Sequence, residues 1–422
     1  MKIKKLYEKM KTKFSLLKER KKGEVKTSFK LIEVAVIVAV VTFIGMFCGV
    51  FITYSQLSYD RTIEGKQYNI NKDLGELSDI YESILDNYYK DIDKDVLIDA
   101  AIDGMLSSLD DPYSSYLDSI EKVIFDERMR GEYRGIGVEL ITNSKGEIII
   151  LNVFNNTPAQ RGGLKSGDII TMIDDKDTSN MSSSDIANHI KRKSEDSVII
   201  KVDRNGKTLT FPLSKEKVIL ESVTSETFVR NEKKVGYIGV SIFAGNTYKQ
   251  FREAVLELEK EKIDSLIIDV RNNSGGYLDS VVKVVSMFLP EDTIIYQIES
   301  NKVITKYYDK TEEKREYPVT ILINKQSASA SEILAAAFKE IYNSQVVGIK
   351  SFGKGTVQET KDLENGGMIK FTTQRWLTPK GNSIDRVGVE PTVVVTIDSG
   401  YWLEPTTEKD NQLQKAIEIL TK

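Results

Sequence analysis

The sequence predicts a multidomain α/β protein whose chain begins with a transmembrane helix. At 422 residues the chain is too long for one ordinary hydrophobic core, and 40% hydrophobic and 29% charged residues are ordinary for a globular protein. An uncharged apolar stretch lies near the N-terminus, and later the patterns of buried strands alternate with those of amphipathic helices. We divide the chain into a basic cytoplasmic tail (1–33), a transmembrane anchor (34–53), a stalk and helical region (54–129), a β-rich module (130–215), an α/β core (216–400) and a helical tail (401–422).

The apolar stretch runs from Val34 to Ile52 and contains no charged residue. As a helix it is about 28 Å long, close to the ~30 Å hydrocarbon thickness of a bilayer. A cleaved signal peptide has a shorter apolar core and a small-residue cleavage site, and the sequence from Thr53 to Leu57 offers no such site. The stretch therefore favours an uncleaved anchor over a cleaved signal or a buried core helix.

The basic tail indicates the orientation of that anchor. Residues 1–30 contain twelve Lys and Arg against three Glu, a local charge of +9 in a chain of net charge −4. The positive-inside rule then predicts a single-pass protein of the cell membrane, with its N-terminus in the cytoplasm and residues from about 54 onward outside. A basic tail can also bind nucleic acid, but its position directly before an apolar stretch favours the topology signal, so we expect no nucleic-acid partner.

Two scarce residue types limit the chemistry. Cys48 is the only cysteine and lies in the predicted anchor, so an intramolecular disulfide and thiolate metal clusters are excluded. His189 is the only histidine, so any His base or set of His ligands would depend on that residue. We expect no metal and no other cofactor.

Helical spacing of apolar residues recurs twice after a polar stalk at 54–72, which lacks periodicity. The two segments are 74–88 and 96–109, and Asp110-Asp111-Pro112 ends the second. A further amphipathic helix is expected from Asp410 to Leu420. The helices at 74–109 either pack against the following domains or form a subunit contact, and the sequence does not decide between the two. With the C-terminal helix they offer a surface for a homodimer.

The β-rich module carries two glycine-bearing loops between alternating strand patterns. Gly135-Ile136-Gly137-Val138 forms the first, and the second joins Pro158-Ala159 to Gly167-Asp168. With these spacings the module resembles a PDZ domain in the permuted form found in bacterial proteases. The resemblance implies that Gly135, Ile136, Gly137 and Val138 bind the C-terminal carboxylate of a peptide, which adds as a strand. The alternative is a β-rich module without a ligand.

The α/β core places polar residues after two predicted buried strands. The strand from Ile263 to Val270 leads to Gly275-Gly276, and the strand from Val319 to Asn324 leads to three alternating serines at 327, 329 and 331. A serine at a strand-to-helix turn is exposed beside free backbone N–H groups, although serines are also common helix caps. Lys354 lies in a Gly-Lys-Gly loop and becomes a candidate base if burial lowers its pKa; otherwise it is a surface lysine.

These motifs together resemble the C-terminal processing peptidases, also called tail-specific proteases. The resemblance runs from about Leu74 to the C-terminus and rests on segments 109–117, 269–276, 327–332, 352–358, 378–381 and 388–391. It implies a core related to the crotonase-like fold. It also implies that Ser329 is the nucleophile, Lys354 the general base, and Gln358 the residue that holds the lysine in place. The backbone N–H groups of Ala330 and of a glycine in the pair Gly275-Gly276 match the oxyanion hole.

Two positions depart from the family pattern. Ser274 replaces the usual proline before the glycine pair, and Lys191 stands where many relatives have an arginine implicated in sensing substrate. The resemblance implies a bacterial serine endopeptidase that captures a free, apolar C-terminus of a protein or peptide in its PDZ domain and cleaves nearby. Two alternatives remain: a non-catalytic membrane-tethered PDZ scaffold and an acyl-CoA-type enzyme of a related fold.

Overall fold

The computed structural model describes residues 60–63, 66–143 and 145–422. The predicted cytoplasmic tail and the predicted anchor at 34–53 lie outside these residues. Among the residues described, no helix combines the length and apolar character needed to cross a membrane. The chain divides into two compact units, Met1–Leu97 and Ile98–Lys422.

The first unit contains a short hairpin followed by helices. Strands β1 (Asp60–Ile63) and β2 (Lys66–Asn69) pair antiparallel. Both strands lie within the predicted stalk at 54–72, so part of that segment has a paired backbone although its side chains lack periodicity. Helix α1 (Ile70–Asn87) and the start of helix α2 (Lys94–Ser107) lie where the helical spacing predicted them. Leu74 and Ile80 on α1, and Tyr88 directly after it, are each about half exposed.

A strand and a helix connect α2 to the β-rich module. Strand β3 (Ser115–Leu117) joins a sheet of the α/β core, and helix α3 (Ser119–Arg130) follows it. Asp118 and Glu121 form a capping box at the start of α3, and Gly131 in the left-handed conformation ends it. The chain thus contacts the α/β core before it enters the β-rich module.

The β-rich module (130–215) is a six-stranded sheet with two helices. Its strands are β5 (Val138–Thr142), β6 (Ile148–Val153), β7 (Ile169–Ile173), β8 (Lys176–Asp177), β9 (Ser197–Arg204) and β10 (Lys207–Ser214). The order is β10-β9-β7-β6-β5, with β8 on β7, while β4 (Glu132–Gly135) pairs separately with β11 (Glu216–Ile219). Helices α4 (Pro158–Gly162) and α5 (Ser183–Arg192) complete it. Alternate strand residues such as Ile173, Ile200 and Val202 are fully buried together.

The α/β core (216–400) is built on a largely parallel sheet. Its strands are β12 (Val223–Arg230), β13 (Lys233–Val240), β14 (Ser265–Asp269), β17 (Val319–Ile323), β18 (Gln345–Gly348) and β21 (Val393–Val394), in that order. Only β12 pairs antiparallel. A second sheet of order β16-β15-β20-β19 consists of β15 (Ile294–Ser300), β16 (Val303–Tyr308), β19 (Thr356–Asp362) and β20 (Met368–Leu377), and β3 pairs with β20.

Helices cover both faces of the parallel sheet. Helices α6 (Thr247–Lys260), α7 (Leu278–Ser286) and α8 (Ala330–Glu340) pack on one face, and α10 (Asn411–Leu420), which follows the short α9 (Ser399–Leu403), packs on the other. Leu413, Ile417 and Leu420 of α10 are buried against the strands. The interpretation of this helix as a dimer surface is therefore wrong for its apolar face, because that face belongs to the core of its own chain.

Candidate active site

The chain makes a strained turn where β17 passes into α8. Ser329 has φ 53° and ψ −113°, a conformation that residues other than glycine rarely adopt and that often occurs at functional sites. Ser327 and Ser331 are fully buried, and their hydroxyls donate to the carbonyls of Val270 and Asn273, at 2.8 Å in each case. Of the three alternating serines, only Ser329 is partly exposed.

The glycine pair lies directly beside this turn. A Cβ on Gly275 would come within 2.9 Å of the Ser329 Cβ and 3.1 Å of the Ala330 nitrogen. The Gly275 N–H donates to Asn273 Oδ1 at 2.8 Å. By contrast, among the described residues the N–H groups of Gly276 and Ala330 have no hydrogen-bond acceptor. These two groups are thus the free backbone donors next to the serine.

The Lys354 side chain is mostly withdrawn from water. Its Nζ lies 4.7 Å from the centre of the Tyr113 ring. Burial, assisted by the positive charge of Lys370, lowers the pKa of Lys354 from 10.5 to about 8, although Asp111 and Glu332 oppose the shift. The lysine is thus partly buried, and its role as the base stays a prediction.

Glu332 connects the serine turn to the lysine loop, and its role was not predicted from the sequence. This side chain is fully buried. Its Oε2 accepts from the backbone N–H groups of Ser329 (2.8 Å) and Lys354 (2.9 Å), and its Oε1 accepts from the Ser351 hydroxyl (2.6 Å) and the Gly353 N–H (2.7 Å). The two bonds to Oε2 keep the Ser329 and Lys354 nitrogens within about 6 Å of each other. The Ser-x-x-Glu spacing of a capping box was the available signal.

Gln358 lies close to the lysine loop but makes other contacts. Its amide donates to Thr356 Oγ1 at 2.8 Å and to Thr372 Oγ1 at 3.1 Å. In the part of the chain that the structure describes, no hydrogen bond joins the Lys354 amine to Gln358 or to the Ser329 hydroxyl. The role inferred for Gln358 from the resemblance therefore stays a prediction.

The four predicted PDZ residues line a groove of about 270 Å³. Gly135, Ile136, Gly137 and Val138 form one wall, and α5 contributes Ser183, Ala187, Ile190 and Lys191 to the other. The N–H groups of Ile136 and Gly137 have no acceptor within the described residues. Lys191 Nζ is bonded to Glu127 Oε2 at 2.7 Å. The groove thus combines free N–H donors, an apolar lining and two cationic side chains, Arg134 and Lys191, which suit the end of a peptide.

Comparison with known proteins matches three family models. These are described as Peptidase family S41 (residues 234–395), PDZ domain (135–214) and Activating protease CtpB N-terminal domain (36–120). The "Carboxy-terminal processing protease CtpB" of Bacillus subtilis (strain 168) is 39% identical over 328 residues, which cover 77% of this chain and 68% of the relative. The "Probable CtpA-like serine protease" of Staphylococcus aureus (strain N315) is 32% identical over 368 residues, which cover 86% of this chain and 71% of the relative.

A solved structure supports the fold alone. It is that of a Bacteroides fragilis protein described as an S41 protease, with a TM-score of 0.52 and 14% sequence identity. The match covers 79% of this chain and 91% of that one. The multidomain arrangement of PDZ and α/β domains predicted from the sequence is therefore confirmed.

Proposed function

The chain belongs to peptidase family S41 and is a serine-type peptidase with a PDZ domain, and from this we propose that it is a membrane-anchored endopeptidase that cleaves protein substrates near a C-terminus captured by the PDZ domain. The observation that carries the catalytic part is the buried carboxylate of Glu332, which keeps the backbones of Ser329 and Lys354 together. Ser329 and Lys354 form the reacting pair.

In the proposed reaction the neutral Lys354 amine removes the Ser329 hydroxyl proton as Oγ attacks the scissile carbonyl carbon. The resulting ammonium group then donates that proton to the leaving amine, and an acyl-enzyme forms. The same amine then deprotonates a water molecule that attacks the ester carbon, and the ammonium group returns the proton to Ser329 Oγ as the second product leaves. With a pKa of about 8, roughly one amine in ten is neutral at pH 7, against about one in three thousand at 10.5.

The tetrahedral oxyanion is stabilised by the free N–H groups of Gly276 and Ala330. Gly275 serves differently, because its own N–H is bonded to Asn273 and its missing side chain lets the loop approach Ser329. Donors fixed before the reaction act on the developing charge without reorganisation, and one such donor is typically worth about 10²–10³ in kcat. Ser274 lies in the same loop, and its replacement of proline leaves both donors in place.

Substrate capture is proposed at the groove between the Gly135–Val138 loop and α5. The free N–H groups of Ile136 and Gly137 suit a terminal carboxylate, and the apolar lining suits an apolar last residue. Peptides ending in a free carboxylate should bind the full-length protein at least tenfold more tightly than their C-terminal amides. Equal binding of the two forms, measured by fluorescence anisotropy, would refute this part of the proposal.

A test of catalysis uses the full-length protein in detergent with an unfolded protein as substrate. Ser329→Ala and Lys354→Ala should each abolish cleavage. Lys350→Ala is the matched control, since Lys350 lies in the same region but forms an exposed pair with Glu390. Peptide binding without any cleavage by the wild type would instead favour the alternative function, a membrane-tethered PDZ scaffold.

Membrane attachment is proposed through residues 34–53, with the catalytic domain on the outer side. When the chain is expressed in a bacterium, the protein should sediment with membranes, and protease added to intact spheroplasts should digest it from outside. Deletion of residues 34–53 should move it to the soluble fraction. Persistence of the deleted protein in the membrane fraction would contradict the anchor.

A homodimer is proposed through the helical region that precedes the PDZ domain. The apolar residues Leu74, Leu77 and Ile80 repeat along α1 and are about half exposed within their unit, as expected for a helix that buries this stripe against a second copy. Light scattering of the detergent-solubilised protein should give twice the chain mass of 47.7 kDa, after correction for detergent. Leu77→Glu places a charge in this apolar stripe and should reduce the measured mass to that of one chain.

A further inference from the structure

A tyrosine from the segment before the PDZ domain covers the proposed base. Tyr113 lies in the motif 109–117, to which the Ser/Lys mechanism assigns no role. The centre of its ring is 4.7 Å from Lys354 Nζ, and both side chains are partly buried. An aromatic face at this distance attracts an ammonium group and also occupies the space that water would fill.

The segment that carries Tyr113 is held in place by the peptidase core. Residues Ser115 to Leu117 pair with β20. The Ser114 hydroxyl donates to Asp111 Oδ2 at 2.6 Å and accepts from the Thr372 N–H at 3.2 Å. The Thr372 hydroxyl also accepts a hydrogen bond from the Gln358 side-chain amide. The ring therefore lies over the amine because a hydrogen-bonded loop places it there.

We propose that Tyr113 is a positioning residue for Lys354: its ring forms the cover that excludes water from the amine until the amine turns towards Ser329. This inference rests on the proposed Ser/Lys mechanism and adds a residue to it. It assigns a function to the segment before the PDZ domain, which becomes one wall of the base pocket.

The ring has two opposite effects on the protonation of the amine. Contact with the aromatic face stabilises the ammonium form, whereas exclusion of water destabilises it. Among the surrounding charges, Lys370 disfavours the ammonium form, and Asp111 and Glu332 favour it. Burial is the largest cause acting on the pKa of Lys354, ahead of the three neighbouring charges, and the Tyr113 ring is part of what buries the amine. Removal of the ring should therefore raise the pKa of this amine.

Tyr113 itself stays uncharged over the working pH range. Burial raises the pKa of its hydroxyl above the ordinary value of 10, and the negative charges of Asp385, Glu332 and Asp111 add to this against the positive charge of Arg386. A pH profile measured below about pH 9.5 thus reports on the amine under the ring and not on the phenol.

The test measures how fast a fluorophosphonate probe labels Ser329 as a function of pH, with the full-length protein in detergent and detection by intact mass. Labelling does not require peptide capture, so effects on the PDZ domain are excluded. Tyr113→Ala should move the rising limb of the profile about one unit towards alkaline pH, which lowers the rate at pH 7 about tenfold and restores it near pH 9.5. Tyr113→Phe should keep the wild-type profile.

Two further variants separate the cover from other roles. Tyr113→Leu keeps an apolar group but removes the aromatic face. The rising limb of its pH profile should therefore stay in place or move towards acid pH. Tyr116→Ala removes the hydrogen bond to Asp99 and loosens the same segment, but it leaves the ring of Tyr113, so any loss of rate should be uniform in pH. Thermal unfolding of each variant checks that it is folded.

Three outcomes would overturn the inference. In Tyr113→Ala, the rising limb of the pH profile could stay where it is in the wild type, or the labelling rate could fall equally at every pH. In Tyr113→Leu, the rising limb could move towards alkaline pH as far as it does in Tyr113→Ala. A failure of the proposed mechanism is recognised separately with Lys354→Ala. If that variant keeps the rate and pH profile of the wild type, Lys354 is not the base, whatever Tyr113 does.

Discussion

Glu332 shows how a single side chain can connect two parts of the site. Its carboxylate accepts four hydrogen bonds in a fully buried position. Burial raises the pKa of Glu332, and the bonds from Ser351, Gly353, Lys354 and Ser329 act in the opposite direction. Three of these donors are backbone N–H groups, so the contact fixes the main chain at both the serine turn and the lysine loop.

The first prediction concerns Glu332→Gln. An amide has only one acceptor oxygen, so two of the four donors would face an NH₂ group, at a cost of about 1–3 kcal/mol in the free energy of unfolding. Because the two loops would shift apart, kcat should fall by about 10²-fold. Glu359→Gln, at an exposed position on β19, is the control. Urea unfolding and peptide hydrolysis measure both effects; a variant with normal kcat would contradict the positioning role.

The second prediction concerns Gly276→Ala. Gly276 has φ 140°, and a Cβ there would lie 2.3 Å from the Phe243 carbonyl oxygen. We expect a loss of about 3 kcal/mol or more in unfolding free energy, together with loss of activity, since the loop must move and carries the oxyanion donor with it. Gly206 also has a positive φ, 78°, but open space around it, so Gly206→Ala should cost only about 1 kcal/mol. Equal losses in both variants would exclude the clash as the cause.

At the scale of elements, the single histidine serves the PDZ domain rather than catalysis. His189 on α5 contacts Asp174 Oδ2 at 3.0 Å, and Lys193 contacts Oδ1 of the same carboxylate at 3.0 Å. The Ile199 N–H donates to Asp174 as well, also at 3.0 Å. These bonds fasten α5, which forms one wall of the peptide groove, to the turn after β7.

The third prediction is a pH dependence of this attachment. Burial acts to raise the pKa of Asp174, but the bonds from Ile199, His189 and Lys193 outweigh it and leave the pKa at about 2, below the ordinary 3.8. A lowered carboxyl pKa adds stability that is complete above about pH 4 and is lost as the pH falls towards 2.

Asp174→Asn should therefore destabilise the protein by about 1 kcal/mol at pH 7. Asparagine tolerates the positive φ of 49° at this position, so the backbone is not strained by the change. The difference from the wild type should shrink between pH 4 and 2. Asp175→Asn, at the exposed neighbour, should show no such trend in thermal unfolding.

At the scale of the whole molecule, the end of the chain completes the core that carries the site. Arg271, just after β14, is buried between Asp269 and Asp410, at 2.6 and 2.7 Å. Gln412 accepts from the same guanidinium at 3.0 Å. Through these contacts the C-terminal helix is attached at the carboxyl end of a strand that leads to the glycine pair.

The fourth prediction tests this dependence on the C-terminal helix. Ile417 is buried against the sheet, so Ile417→Ala should lower the free energy of unfolding by about 2–4 kcal/mol. Lys415→Ala on the same helix, where the side chain is partly exposed, should cost less than about 1 kcal/mol. Both are read from urea unfolding of the whole chain. Equal small effects would mean that α10 is not part of the cooperative core.

The sequence by itself determined the order of the domains and the segments that carry chemistry. Runs such as Ile263 to Val270 predict buried strands, because strands covered on both faces are apolar throughout. Asn205-Gly206 predicts the β9–β10 hairpin, because both residues accept a positive φ. The resemblance then singled out Ser329, Lys354 and the glycine pair. Such features are local, so adjacent residues suffice to indicate them.

Only the tertiary structure decided how distant segments meet at the site. It places Tyr113 over Lys354, joins Ser329 to the lysine loop through Glu332, leaves Gly276 rather than Gly275 with a free N–H, and buries the apolar face of α10. No local pattern predicts the contacts of Tyr113 with Lys354, of Glu332 with the lysine loop or of α10 with the sheet, because each joins residues far apart in the chain. Burial and the choice of hydrogen-bond partner depend on packing of the whole core, and the chemistry of the lysine depends on both.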